Sequence, residues 1–110
     1  MKIITICGSM KYKKEMMEVA ERLALEGNCV ITPIYLNKSK NEYADNDYEM
    51  LLNVHKKKIS MSDAILVVNV DNYIGDGTNI EIEYAKELNK EILYYSDMVY
   101  DLGDWYYEIS

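Results

Sequence analysis

The residues best suited to chemistry stand together in the segment G-D-G-T-N-I-E, residues 75–81. Two glycines, a hydroxyl and a carboxylate gather where a loop gives way to a helical pattern. Backbone amides at such a helix start attract anions. A carboxylate at the same end, Glu81, can act as a nucleophile or as an electrostatic stabiliser. The spacing Thr78-x-x-Glu81 is equally that of a capping box, in which Thr78 caps the helix and Glu81 folds back to its amide. Glu81 precedes Ala85 by four residues and Leu88 by seven, which sets it beside the apolar face rather than out in solvent.

A second group follows the first apolar run. Gly8 permits a tight turn, and the Ser9 hydroxyl with the next amides can hold a phosphate or a ribose hydroxyl. Ser9 can also simply cap the following helix. His55 lies four residues from Leu51 and four from Ile59, near the inner stripe of its helix. It is either a packed core histidine or a residue bordering a cleft. Asp71 and Asp76 sit in the loop after the third strand, Asp76 between Gly75 and Gly77, where a ribose hydroxyl or base edge can be bound and one of them can simply cap the turn. Asn69 ends a buried strand and needs a polar partner there. Asp63 reads as strand-entry structure.

These residues need elements to position them. Residues 2–7, 28–32, 64–69 and 91–95 are short apolar runs that predict strands. Residues 11–25, 47–60 and 78–89 carry apolar positions at helical spacing. Met16, Val19, Ala20 and Leu23 mark the first helix, which Gly27 is placed to stop, and Leu51, Val54 (or His55) and Ile59 mark the second. The polar stretch 36–47 predicts a loop over the sheet edge, long enough for a lid. Alternation of strand and helix predicts an α/β three-layer sandwich, flavodoxin-like or Rossmann-like, on a parallel sheet of four or five strands. The order 2-1-3-4 puts the first and third strand tips side by side at a topological switch point.

Composition narrows the function classes. The 110 residues predict a single domain with enough apolar content, 49%, for a core. A formal charge of -7 and the lack of a basic patch disfavour nucleic acid. No apolar run is long enough to span a membrane, and the opening M-K-I-I runs into a strand without a signal-peptide pattern, so cytoplasm is the expected location. Cys7 and Cys29 both fall inside predicted strands and read as buried free thiols, with no ligand-like spacing to mark a metal site. No metal and no organic cofactor are expected. The lysines 56–58 sit at a helix C-terminus, where the macrodipole accounts for them.

Three stretches carry a family resemblance: C-G-S after the first strand, H-K-K-K-I with S-D-A-I-L-V-V-N shortly after it, and Y-I-G-D-G-T-N-I-E-I-E-Y-A-K-E-L-N-K. Together, over residues 3–95, they resemble the nucleoside 2-deoxyribosyltransferase superfamily. The superfamily includes deoxynucleoside 5'-monophosphate N-glycosidases, and the sequence is most similar to small bacterial members with the pattern YIGxSTxxEIxYAxxxGK. The resemblance implies cleavage or exchange of an N-glycosidic bond. It implies Glu81 as the nucleophile, opening the E-[IL]-G-x-A stretch, and Ser9 as a phosphate contact, with Lys11 matching a basic position nearby. The family's assisting aspartate falls at about His55, its glycine after E-[IL] is Glu83, and the tyrosine before C-G-S in the monophosphate enzymes is Thr5. The segment G-D-G-T-N-I-E is also similar to the GGxGTxxE element of cytokinin-type nucleotide phosphoribohydrolases.

The expected activity is therefore glycosidase or deoxyribosyl transfer on a nucleoside or its 5'-monophosphate. The alternatives are a non-catalytic nucleotide-binding module of the same fold, a nucleotide phosphoribohydrolase, and a partner-binding protein in which Thr78 and Glu81 only cap a helix. A partner subunit completes the site in the deoxyribosyltransferases. The aromatic segment 100–107 suits such a contact, so a homo-oligomer is expected.

Overall fold

A computed structural model of the chain describes residues 1–98. The aromatic segment 100–107, expected at a subunit contact, lies outside the described residues. Four parallel strands form the sheet: β1 (Ile3–Gly8), β2 (Cys29–Ile31), β3 (Ala64–Val68) and β4 (Glu91–Tyr94). Their order is β2-β1-β3-β4, as the alternation of elements predicts. Three helices make the crossovers: α1 (Lys13–Leu25), α2 (Asp45–Ser60) and α3 (Asp76–Glu87).

Two periodicities build the layers. Along the strands, Ile4, Ile6, Ala64, Leu66 and Val68 point to one face and meet Met16, Val19 and Leu23 of α1. Cys7, Ile65 and Val67 point to the other face and meet Ile59 of α2 with Ile82 and Ala85 of α3. β3 is buried along its whole length because both faces are covered. Asp63 does enter the strand as structure, its Oδ2 accepting from the Ile3 amide at 2.8 Å. Among the described residues, no helix is long and apolar enough to cross a membrane.

Several boundaries depart from the sequence expectation. β1 runs one residue further than the expected 2–7 and takes in Gly8. A 3₁₀ turn over Met10–Tyr12 precedes α1, with Ser9 at its N-cap. Helix α2 starts at Asp45, where Asp47 Oδ2 accepts from the Ala44 amide at 2.9 Å. Helix α3 starts at Asp76 with Gly75 at its N-cap. Thr78 is thus inside the first turn, and the Thr78–Glu81 capping box does not form. Cys29 is exposed on the edge strand, so only Cys7 is a buried thiol. In α2, His55 takes the buried position and Val54 is 39% exposed. Gly27 ends α1 as expected, at φ 94°, a backbone that costs a residue with a Cβ.

Register fixes the tip of the sheet. Gly8 pairs with Val68, so β1 and β3 end side by side. A Cβ on Gly8 would lie 3.2 Å from Met16 Sδ, 3.2 Å from Val68 Cβ and 3.3 Å from the Val68 carbonyl. Gly8→Ala should therefore destabilise the fold by about 1–3 kcal/mol, the usual range for overpacking. At Gly77 a Cβ would meet nothing within 4 Å. Gly77→Ala should leave stability unchanged or raise it by up to ~1 kcal/mol, as alanine suits a helix better than glycine. Urea unfolding of the two variants beside the parent gives the comparison, and equal losses would refute the crowding at Gly8.

Candidate active site

A cleft of ≈ 460 Å³ opens beyond the C-terminal ends of β1 and β3. This is where an open α/β sheet places a ligand. Its polar side is made by Gly8 and Ser9 at the end of β1, by Gly75, Gly77 and Thr78 at the start of α3, and by Lys58 of α2. The first turn of α3 has no carbonyls one turn back to accept its N–H groups, so that side presents amides suited to an anion. Across the cleft, Ile34, Leu36, Leu51, Leu52 and Val54 form an apolar wall, with Tyr48 at its end.

Glu81 reaches the inner end of the cleft. Its side chain is 14% exposed and that of His55 only 8%, with His55 Nε2 3.8 Å from Glu81 Oε2. Cys7 Sγ lies 3.4 Å from the same Nε2, and within 4.8 Å of a Glu81 carboxylate oxygen. Three elements supply these groups: β1 gives Cys7, α2 gives His55 and α3 gives Glu81.

Burial sets the charges. Desolvation pushes the Glu81 carboxyl up to about 7, and the neighbouring Cys7 thiol opposes part of the rise. Desolvation, followed by the charge of Lys58, pulls His55 down to about 4, while a hydrogen bond with the Ile6 backbone works against it. Burial and then the neighbouring carboxylate drive the Cys7 thiol well above its ordinary value. At neutral pH His55 is neutral, so its contact with Glu81 is polar rather than ionic.

The cleft gathers Gly8, Ser9, His55, Gly75, Gly77, Thr78 and Glu81, and leaves out the other candidates. Ser9 Oγ accepts weakly from the Lys11 amide, at 3.4 Å. The Lys11 ammonium lies over the Tyr73 ring, 3.4 Å from its centroid, away from the cleft lining. Asn69 has found its partner in Ser96: its Oδ1 accepts from the Ser96 amide at 3.0 Å and its Nδ2 donates to the Ser96 hydroxyl at 3.1 Å. Asp71 and Asp76 are exposed outside the lining, Asp71 at a left-handed φ of 54°. Sequence reasoning missed two features. Cys7 passed as a bland core thiol, although strand alternation puts it on the face that α2 and α3 cover. The apolar wall was foreshadowed only by Leu51, Val54 and the short Ile34–Leu36 island after Pro33.

The paired shifts give a testable pH signature. His55 is depressed from 6.5 to about 4, so its contribution to stability is full above 6.5 and is lost as pH falls toward 4. Glu81 is raised from 4.5 to about 7, so its contribution is full below 4.5 and is lost as pH rises through 7. Between 4.5 and 6.5 the two slopes oppose each other, and beyond 6.5 that of Glu81 remains. Glu81→Gln removes only the Glu81 slope. Its stability relative to the parent should be greater near pH 8 than near pH 5 by on the order of 2–3 kcal/mol. Urea midpoints across this range test the sign, and a constant difference would refute the raised carboxyl.

Comparison with known proteins agrees with the architecture. Among curated proteins none matches the chain. Of the solved structures, the Clostridium botulinum CMP N-glycosidase BcmB is similar with a TM-score of 0.57 at 17% identity, over 84% of this chain and 70% of that one. The two share a fold. Residues 4–94 match the family described as Domain of unknown function (DUF4406), and the protein belongs to that family.

Proposed function

We propose that the protein cleaves the N-glycosidic bond of a nucleoside or its 5'-monophosphate, with Glu81 as the nucleophile. The observation that carries this reading is the position of the Glu81 carboxylate, at the inner end of the cleft beside the amide-rich start of α3. The fold shared with a CMP N-glycosidase supports it. A 5'-phosphate sits against Ser9 and the amides of Gly77 and Thr78. The base rests on the apolar wall of Ile34, Leu36, Leu51, Leu52 and Val54. That arrangement brings C1' of the sugar toward Glu81.

In the first step a Glu81 oxygen bonds to C1' as the C1'–N bond breaks, and the bond's electron pair leaves on the base, which takes a proton from water. Water then attacks C1' and releases the sugar from Glu81. Attack requires the ionised carboxylate, and with its value near 7 a substantial fraction is ionised at neutral pH. His55 is neutral there and positions the carboxylate without supplying charge.

Glu81→Gln should fold, bind nucleotide within a few-fold of the parent and release free base at least ~100-fold more slowly, the order typical of losing a group that acts in the transition state. Glu83→Gln is the control, since Glu83 is exposed and pairs with Lys86 at 3.3 Å on the outer face. Chromatography of free base from a panel of nucleosides and nucleotides gives both rates. If both variants keep the parent rate, the glycosidase reading is wrong.

A second reading is favoured by His55, which stands about where the resembling family has an assisting aspartate. On this reading the protein binds nucleotide without turning it over. A parent that binds nucleotides and releases no base from any of them selects it. In both readings monophosphates should bind more tightly than the free nucleosides, because the α3 amides hold the phosphate. Calorimetric titration showing equal or weaker binding of monophosphates removes the phosphate from the site.

A further inference from the structure

The geometry points to a metal site: Cys7 Sγ, His55 Nε2 and a Glu81 carboxylate oxygen together hold one divalent cation of the Zn2+ class, with its fourth position open to the cleft. The three ligand atoms lie within 4.8 Å of one another, the one such group among the described residues. Zinc bound by sulfur, imidazole nitrogen and carboxylate oxygen at its usual bond lengths sets its ligands about 3.4–3.6 Å apart in a tetrahedron. The sulfur–nitrogen separation is already 3.4 Å and the nitrogen–oxygen separation 3.8 Å. The Glu81 oxygen lies within 4.8 Å of the other two ligand atoms, and closing the set needs the carboxylate to move toward Cys7 Sγ.

The chemistry of the three groups supports a cation. Each offers a lone pair to the same small volume, and the Cys7 thiol is a weak donor that cannot satisfy a ring nitrogen and a carboxylate together. A cation meets all three at once, and coordination releases the thiol proton to solvent. Sulfur and imidazole select zinc-like ions over magnesium and calcium, which take oxygen ligands. Cys7 is fully buried beneath the other two ligands, which both line the cleft. The ion therefore enters from the cleft, and its fourth ligand is water or an anionic oxygen from a ligand there. Three protein ligands and one open position are the arrangement of zinc sites that meet small molecules.

The test uses the full chain, freed of metal by chelator and dialysed against Zn2+. One ion per chain is expected. Cys7→Ala and Glu81→Gln should each weaken binding by at least ~100-fold, the upper end of what disturbing even a ligand's outer partners does. Circular dichroism checks that each variant is folded, and if one is not, the other carries the comparison. Co2+ should bind in place of Zn2+ with a thiolate charge-transfer absorption in the near ultraviolet that disappears in Cys7→Ala and persists in Cys29→Ser. Absence of binding overturns the proposal. So does binding that survives Cys7→Ala and vanishes in Cys29→Ser, because the exposed Cys29 is then the ligand. One arm alone rests on the glycosidase reading: stoichiometric Zn2+ should stop base release, since metal and sugar compete for the same carboxylate. A metal-free chain that releases no base refutes that reading, and binding of Zn2+ through Cys7 by the same chain leaves the metal site standing.

Discussion

Parallel pairing of β1 with β3 is the constraint from which the site follows. It brings residues 3–8 beside residues 64–68 and ends both strands at the same level, Gly8 opposite Val68. Because β3 is entered from α2 and left toward α3, both helices pack on the same face of the sheet and against each other. Cys7 is the last buried β1 residue on that face. His55 and Glu81 project from the two helices toward it. A slip of one residue between the strands would turn Cys7 to the α1 side and break up the cluster.

Water exclusion then acts on groups that would otherwise be ordinary. A carboxylate and an imidazole at this distance would form an ion pair at the surface near neutral pH. Buried together, they move in opposite directions, and the proton that the imidazole gives up is held by the carboxyl over the window between the two values. The folded cluster therefore carries less charge than the same groups in the unfolded chain. The polar lining of the cleft combines backbone amides with the side chains of Ser9, His55, Lys58, Thr78 and Glu81, so a chain with a net charge of -7 still presents a surface to an anion.

The architecture was legible because it rests on local pattern. β3 announces itself as an uninterrupted run of alanine, isoleucine, leucine and valine, and the alternation of elements led to the strand order. Glu81 was legible too, because an i, i+4 relation to Ala85 depends on one helix only. What escaped was what depends on three-dimensional meeting. Nothing near Cys7 in the sequence hints at His55 or Glu81, and their spacing follows no metal-ligand pattern. The start of α3 was misplaced because T-x-x-E imitates a cap, while Gly75 provides the N-cap from backbone geometry alone. Asn69 was correctly marked as a residue in need of a partner. Ser96, however, lies in the chain after β4, and only the fold brings it near.

That pair has an architectural consequence. The β3–β4 ladder runs from Ala64 opposite Glu91 to Val67 opposite Tyr94, and two positions further on the same register places Asn69 opposite Ser96. The Asn69 amide fills this rung with its side chain, giving one bond and accepting another. The backbone of Asn69 is thereby excused from the ladder and turns, at φ -110° and ψ 63°, into the bend that leads toward Gly75. The sheet is thus longer in side chains than in main chain. The extra rung ties the exit of β4 to the start of the loop that leads to Gly75 at the cleft.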